Sequence, residues 1–402
     1  MVPAKVAQRI KRECRKIEPL AWALARTIFE HPEAAYQEFF AAKALSDFLA
    51  GFGFAITNHL GGLKTAFTAE KRGQRRPCLA YLAEMDALPG MGHACGHHLI
   101  AAGSAGAAAA LSRSLTPLHG SIKVIGCPAE EMGGGKVILA RQGAFKNLDA
   151  ALIIHPDRRT EVYKRALGVV EIEFFFKGRA AHASAEPEKG VNALDAVIQT
   201  FNAVNALRQQ LPSHVRVHGI VTQGGVAPNI IPERAAAVFL ARGLTVKETN
   251  EVAAKVIACA QGAAKAAGAR LVTRLRKDKF YAPYAGNRAL GQVFWRVLES
   301  IGVEVKQGPE DEGMGSTDVG NVSLYAPVLH PLLAVPGATS GVHSREFAAA
   351  AGGPGGRAML EKAILANALT GAEVLLNERL RQDIKNEHRA YIKQEGKLPD
   401  YL

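Results

Sequence analysis

Short apolar runs alternate with stretches of three-to-four-residue periodicity over the first part of the chain. The spacing predicts a helix over 17–30, stopped ahead of Pro32, and a second over 36–50. In the second, Phe39, Leu45, Phe48 and Leu49 share a face and Gly51 ends the run. Short strands are expected at 54–57 and 65–69. Residues 78–84 are almost all apolar, as a strand buried on both faces requires. An alanine-rich helix at 100–111, a buried strand at 122–127, a helix at 136–141 and a strand at 150–154 complete the series. Alternating strands and helices predict an α/β layer with ligands at the strand ends.

The rhythm changes near Gly168. Strands are expected at 169–177, 215–222, 235–240 and 270–276, and helices at 192–211 and 246–267. That order is β-α-β-β-α-β, a ferredoxin-like unit. After Tyr284 the first pattern resumes, with a helix at 288–300, a loop at 313–317, an apolar segment at 329–335 and one long helix at 356–385. The predicted architecture is α/β: a discontinuous catalytic domain (1–167 and 278–402) with a mixed sheet flanked by helices, and an inserted ferredoxin-like domain (168–277).

Composition narrows the classes. The 402 residues suffice for two domains, and 48% hydrophobic with 21% charged residues is a globular balance. No apolar run reaches the roughly 20 residues a membrane helix needs. The basic segment 1–16 is not followed by an apolar signal segment, which predicts a cytoplasmic protein with no membrane partner. Cys14, Cys78, Cys127 and Cys259 show no framework spacing and read as buried or free thiols. The net charge of +12 comes from scattered residues not interleaved with aromatics, which argues against nucleic acid. It fits a solubilising surface first and the steering of anionic carboxylates second.

The candidate chemistry is concentrated in His93-Ala94-Cys95-Gly96-His97-His98. Sulfur and imidazole donors at this density suit zinc or a neighbouring divalent metal. Cys95 and His97 are the strongest ligand candidates, with Gly96 allowing a tight turn between them. His93 and His98 cannot all join the same ion and read as supports. Asp86, after the 78–84 strand, is placed to accept a hydrogen bond from His97 and fix its tautomer. Glu84, alone, reads as a solvated strand end. In Glu130-Glu131 one carboxylate can ligate while the other carries a proton. Gly133 to Lys136 misses the phosphate-loop spacing. His155 and His343 are each ambiguous alone. His182, in the inserted domain, reads as a donor to a developing oxyanion outside the ligand set.

Taken together these motifs resemble the amidohydrolase branch of metallopeptidase family M20. The match runs through Leu82-Ala83-Glu84-Met85-Asp86-Ala87-Leu88-Pro89, Gly92 to His97, Pro128-Ala129-Glu130-Glu131 and His155-Pro156. It continues through Gly178 to His182, Asn192 to Ala196, Pro228-Asn229-Ile230-Ile231-Pro232, Gly315 to Asn321 and His343. That is nearly the whole chain, in order. The resemblance implies two divalent ions per subunit, zinc or manganese with cobalt as an alternative, held by Cys95, His97, Glu131, His155 and His343 with a thiolate or water bridging. It implies Glu130 as general base and acid. It implies a homodimer built through the inserted domain, with His182 reaching the partner's site. Asn229 would grip the substrate carboxylate, with Ser316 and a basic residue, Arg242 or one in 274–279, on the substrate side. Two positions depart from the branch. Position 98 is His where Asp or Asn is usual, and position 84 is Glu where many members have Asp.

The expected activity is hydrolysis of the amide bond of an N-acyl amino acid or dipeptide bearing a carboxylate. Two other readings remain: a hydrolytic deaminase using the same site, and a metal-dependent binding protein without turnover. Glu130 beside the ligands argues against the last, because a pure binder has no need of a base there.

Overall fold

The computed structural model describes residues 2–74 and 76–395, which divide into two compact units. The first unit draws on Met1–Arg165, Ala285–Met314 and Asp318–Gln394. The second is Ala166–Tyr284 with Gly315–Thr317.

The first unit opens with α1 (Ala4–Glu30), which starts thirteen residues before the predicted helix. Ile10, Cys14, Ile17, Ala21, Leu24, Ala25 and Ile28 form one buried stripe that continues back into the basic segment. Glu13, buried in that stripe, is paired with Lys16 at 3.0 Å and Arg113 at 3.1 Å. Next come α2 (Phe39–Gly51), β1 (Ala55–Asn58), β2 (Phe67–Arg72) and β3 (Cys78–Glu84), and every residue of β3 is buried. The chain continues through α3 (His97–Ser114), β4 (Ser121–Cys127), α4 (Gly135–Arg141), β5 (Ala150–Leu152) and β6 (His155–Asp157).

Strand β7 (Arg165–Ala166) marks the boundary to the second unit, which contains β8 (Gly168–Lys177), α5 (Ala193–Arg208), β9 (Arg216–Gln223), β10 (Arg234–Gly243), α6 (Val246–Ala267) and β11 (Arg270–Leu275). Its sheet is antiparallel in the order β11-β8-β10-β9, the ferredoxin-like arrangement. Alternation in β8 is plain: Ile172, Phe174 and Phe176 are buried, while Phe175 and Lys177 are exposed. Asn192 caps α5, accepting from the backbone of Leu194 and Asp195.

After β12 (Tyr284–Ala285) the first unit resumes with α7 (Arg288–Ser300), α8 (Val319–Ser323), β13 (Val328–Leu329), β14 (Leu332–Ala334) and α9 (Arg345–Ala351). The predicted single helix at the C-terminal end is two, α10 (Pro354–Leu376) and α11 (Glu378–Glu395). Asn377 breaks them, extended at φ −106° and ψ 101°. Its side chain accepts from the Leu380 N–H at the start of α11. Arg381 donates back to the last carbonyls of α10, Val374 and Leu375.

The sheet of the first unit is mixed, in the order β1-β2-β4-β3-β5-β13. Strands β4, β3, β5 and β13 are parallel, with Glu84 opposite Cys127 and Leu329 opposite Leu152. Helix α3 packs on β3 and β4 and is covered by α1 and α10. Its small residues permit that approach: a Cβ on Gly106 would meet Ile364 Cδ1 at 3.0 Å and Ala21 Cβ at 3.2 Å. No helix among the described residues is long and apolar enough to cross a membrane.

Candidate metal centre

Parallel strands deliver their C-terminal ends to one edge of a sheet. Here the residues just past those ends are Asp86 after β3, Glu130 and Glu131 after β4, His155 after β5 and His330 after β13. Three loops shape the edge. Gly96, at φ +78°, forms the entry to α3; a Cβ there would lie 2.6 Å from Pro156 Cγ, so the glycine lets the Cys95–His97 turn close against the His155 segment. Ala129 holds φ 59° without being glycine, and its carbonyl accepts from the N–H groups of Gly133, Gly134 and Gly135. Buried Glu38 accepts the Ala129 N–H at 2.9 Å and the Thr65 hydroxyl at 2.8 Å, holding that strained turn from below. His343, at φ 65°, donates its backbone N–H to the Ala94 carbonyl at 2.9 Å.

Donor atoms from these loops converge. Cys95, His97 and His155 present atoms within 4.8 Å of one another, as do Cys95, Glu131 and His343, and His97, Glu130 and Glu131. Cys95 Sγ lies 3.4 Å from His155 Nε2, and Glu131 Oε1 lies 3.2 Å from His343 Nε2. Hydrogen bonds settle the tautomers. His97 Nδ1 faces two acceptors, the Asp86 carbonyl at 3.0 Å and Asp86 Oδ1 at 3.1 Å, so it carries the hydrogen and Nε2 presents a lone pair. His155 Nδ1 likewise donates to the Pro156 carbonyl at 2.7 Å. The second Asp86 oxygen accepts the Glu131 N–H at 3.0 Å, so one carboxylate orients two donors at once.

The donor set fits a cation. His97 Nε2 is buried without a hydrogen-bond partner and faces this cluster. Burial works against the His97 imidazolium, yet Cys95 and Asp86 pull it well above the ordinary histidine range. Sulfur and carboxylate donors gathered beside one imidazole are what a divalent ion would draw together. Soft sulfur with imidazole and carboxylate suits a borderline divalent ion.

Behind the cluster lies a second charged group that sequence reasoning passed over. Glu84, expected as a solvated strand end, is 1% exposed. Its Oε1 pairs with Lys136 Nζ at 2.6 Å, and Lys136 pairs with Asp318 Oδ1 at 2.6 Å. Burial and the charges of Glu84 and Asp318 push the Glu130 carboxyl well above its ordinary value. His330 was also missed; its ring is 5.5 Å from that of His155. The signal was available: Leu329-His330-Pro331 on β13 echoes Ile154-His155-Pro156 beyond the neighbouring parallel strand. His93 and His98 face away from the donors. Each bonds through Nε2 to a backbone carbonyl, of Ile28 and Ala351, and their rings pack together at 5.2 Å beside Phe29.

The remaining candidates belong to the second unit. His182 is exposed, and its Nδ1 accepts the Ala185 N–H at 3.3 Å, leaving the hydrogen on Nε2. Asn229 lies on the adjacent segment, where its carbonyl accepts the Ala183 N–H at 3.0 Å. Arg242 donates to Ser316 Oγ at 2.8 Å, and among the described residues no carboxylate pairs with it. Of the alternatives in 274–279, Arg276 is engaged with Glu173 at 3.1 Å and Lys279 with Glu171 at 3.0 Å.

Comparison with known proteins adds five findings. Residues 166–268 match the model of a peptidase dimerisation domain. The chain is 34% identical to Xaa-Arg dipeptidase of Mus musculus, covering 99% of this chain and 94% of that protein. It is 33% identical to one of the p-aminobenzoyl-glutamate hydrolase polypeptides of Escherichia coli, over 69% of this chain and 62% of that one. Among solved structures, a dinuclear metal binding peptidase from the M20 family of Bacillus subtilis superposes with TM-score 0.69 at 20% identity, covering 90% of this chain and 99% of that one. An aminobenzoyl-glutamate utilization protein from Klebsiella pneumoniae does so with TM-score 0.67 at 20% identity, over 92% and 98%.

Proposed function

The chain belongs to the M20 peptidase family and is a hydrolase, and from that premise we propose that it is a metal-dependent amidohydrolase of dipeptides or N-acyl amino acids. The observation that carries the reading is the convergence of Cys95, His97, Glu131, His155 and His343 beside the half-buried Glu130 carboxylate. The five would hold two divalent ions, zinc, manganese or cobalt. Such ions polarise an amide carbonyl and make a nearby water more acidic.

The chain's own residues divide the remaining work. Asp86 fixes the His97 tautomer and the Glu131 backbone. Glu130 takes one proton from water as the water oxygen bonds to the carbonyl carbon. It returns that proton to the nitrogen as the C–N bond breaks, and the second water proton follows to the amine, leaving a carboxylate and an ammonium. The raised affinity of Glu130 for a proton suits a group that must both take and give one. In a homodimer His182 would reach the partner's site and donate from Nε2 to the carbonyl oxygen as it gains charge. Arg242, with a neutral protein partner only, is the residue of choice for the substrate carboxylate, assisted by Asn229 and Ser316. The names of the relatives point to dipeptides ending in arginine and to p-aminobenzoyl-glutamate as first substrates.

The matched dimerisation domain supports a homodimer. Strand β9 is a sheet edge that leaves Ile220 66% exposed, and α5 leaves Ile198 46% exposed. Free thiols at all five cysteines favour a reducing, cytoplasmic setting.

The test reconstitutes the protein with zinc, manganese or cobalt and offers dipeptides ending in Arg or Lys, p-aminobenzoyl-glutamate and indole-3-acetyl-aspartate. Release of a free amino acid supports the reading; release of ammonia instead would replace it with a deaminase. Glu130→Gln is expected to keep fold and metal while turnover falls by roughly 10²–10⁴-fold. Near-normal turnover in that variant refutes the role of Glu130.

A further inference from the structure

The reaction just described leaves one buried charge without a task. Lys136 is 0% exposed, in the first turn of α4. A cation there opposes the helix dipole, so helix stability does not explain it. Its ammonium instead holds two carboxylates from distant segments, Glu84 at the end of β3 and Asp318 at the entry to α8, each at 2.6 Å. The Lys136 backbone N–H donates to the other Asp318 oxygen at 2.9 Å, so the residue grips Asp318 at two points. A buried ion pair is a poor device for stability alone, since apolar packing serves as well. This one stands where it can serve the reaction. Carboxylate oxygens of Glu84, Glu130 and Asp318 lie within 4.8 Å of one another, and the second Glu84 oxygen is 3.6 Å from His97 Nε2.

We propose that Lys136 is a positioning residue for the hydrolysis: its ammonium clamps Glu84 and Asp318 into a fixed wall that orients Glu130, and it keeps Glu84 out of the cation-binding donors. The inference rests on the reading of Glu130 as proton carrier. Three like charges this close repel unless a cation sits among them. A metal ion there would be exchangeable; an ammonium on a buried side chain is permanent.

Lys136→Met alone leaves two buried carboxylates unpaired and can fail to fold. Two variants avoid this. Asp318→Asn is isosteric and loosens one arm of the clamp. The pair Lys136→Met with Asp318→Asn removes one charge of each sign. Both are assayed as reconstituted holoenzyme, on whichever member of the dipeptide and acyl-amino-acid panel the wild type hydrolyses fastest. The expected result is a fall in kcat of at least tenfold in Asp318→Asn and thirtyfold in the double variant. KM stays within threefold and bound metal per chain is unchanged. Asp318→Asn turning over within threefold of wild type overturns the proposal. So does a loss of metal in step with activity, because the clamp would then support the ligands. Failure of the underlying reading is separate, and appears as turnover surviving in Glu130→Gln.

Discussion

Asp86→Asn gives the sharpest test of how the donor set is held. The aspartate uses both oxygens: Oδ1 faces His97 Nδ1 at 3.1 Å and Oδ2 faces the Glu131 N–H at 3.0 Å. An amide of the same shape offers one acceptor and one NH₂ group, so one of the two N–H partners must meet a donor. Among the described residues Glu131 N–H has no alternative partner, whereas His97 Nδ1 retains the Asp86 backbone carbonyl at 3.0 Å. The amide oxygen therefore turns to Glu131, and His97 loses its charged partner. A hydrogen bond to a charged group contributes about 1.5–3 kcal/mol. That corresponds to roughly 10–150-fold in affinity, in line with the ~10–100-fold typical of residues supporting metal ligands. Competition of the variant with a chromophoric chelator for zinc measures the change, with a thermal melt to verify folding. Turnover at saturating metal should fall less than affinity does. Metal affinity within twofold of wild type would refute the account, and with it the claim that Asp86 orients His97.

Cys95→Ala should lower the metal bound per chain, measured by elemental analysis; an unchanged stoichiometry would remove the thiol from the ligand set. Arg242→Met should raise KM for a carboxylate-bearing substrate about 10–150-fold, the loss of one charged hydrogen bond, and leave a substrate amidated at that carboxylate little changed. Equal effects on both substrates would dismiss the assignment. Burial pushes the His93 ring down to about 4 from an ordinary 6.5. The folded chain therefore keeps His93 neutral while the unfolded chain protonates it below about 6.5. Its contribution to stability is intact above that pH and is lost as pH falls toward 4. Across that window His93→Asn should flatten the dependence of unfolding free energy on pH by up to about 1.4 kcal/mol per pH unit. Denaturant titrations with the same slope in both proteins would contradict it.

Much of this molecule was legible before any coordinates. The run at 78–84 is β3 because it is almost all apolar, and 246–267 and 288–300 are α6 and α7 because each is bounded by strong punctuation and carries one clear period. Other features were hidden for physical reasons. The basic residues of segment 4–16 occupy the outer face of α1 and disguised the apolar stripe beneath. Asn377 carries a local signal that the helical period around it masked: asparagine is a favoured helix cap, and it accepts from the Leu380 N–H at the start of α11. The ligand candidates stood out because cysteine and histidine were crowded into six positions. Glu84 did not, because its meaning comes from Lys136 and Asp318, 52 and 234 positions away in the chain. A charge reads as solvated until its partner is known.

The interruption of the first unit by the second has a consequence for biosynthesis. A ribosome delivers Cys95, His97, Glu131 and His155 first, then about 190 further residues before His343. At about 5–20 residues per second that interval lasts roughly 10–40 s. During it β5 awaits its neighbour β13, while the intervening unit already has every strand of its own sheet. The nascent enzyme thus carries a bare thiol and an unclosed sheet margin for tens of seconds, the period in which oxidants, stray copper and chaperones have their chance at it.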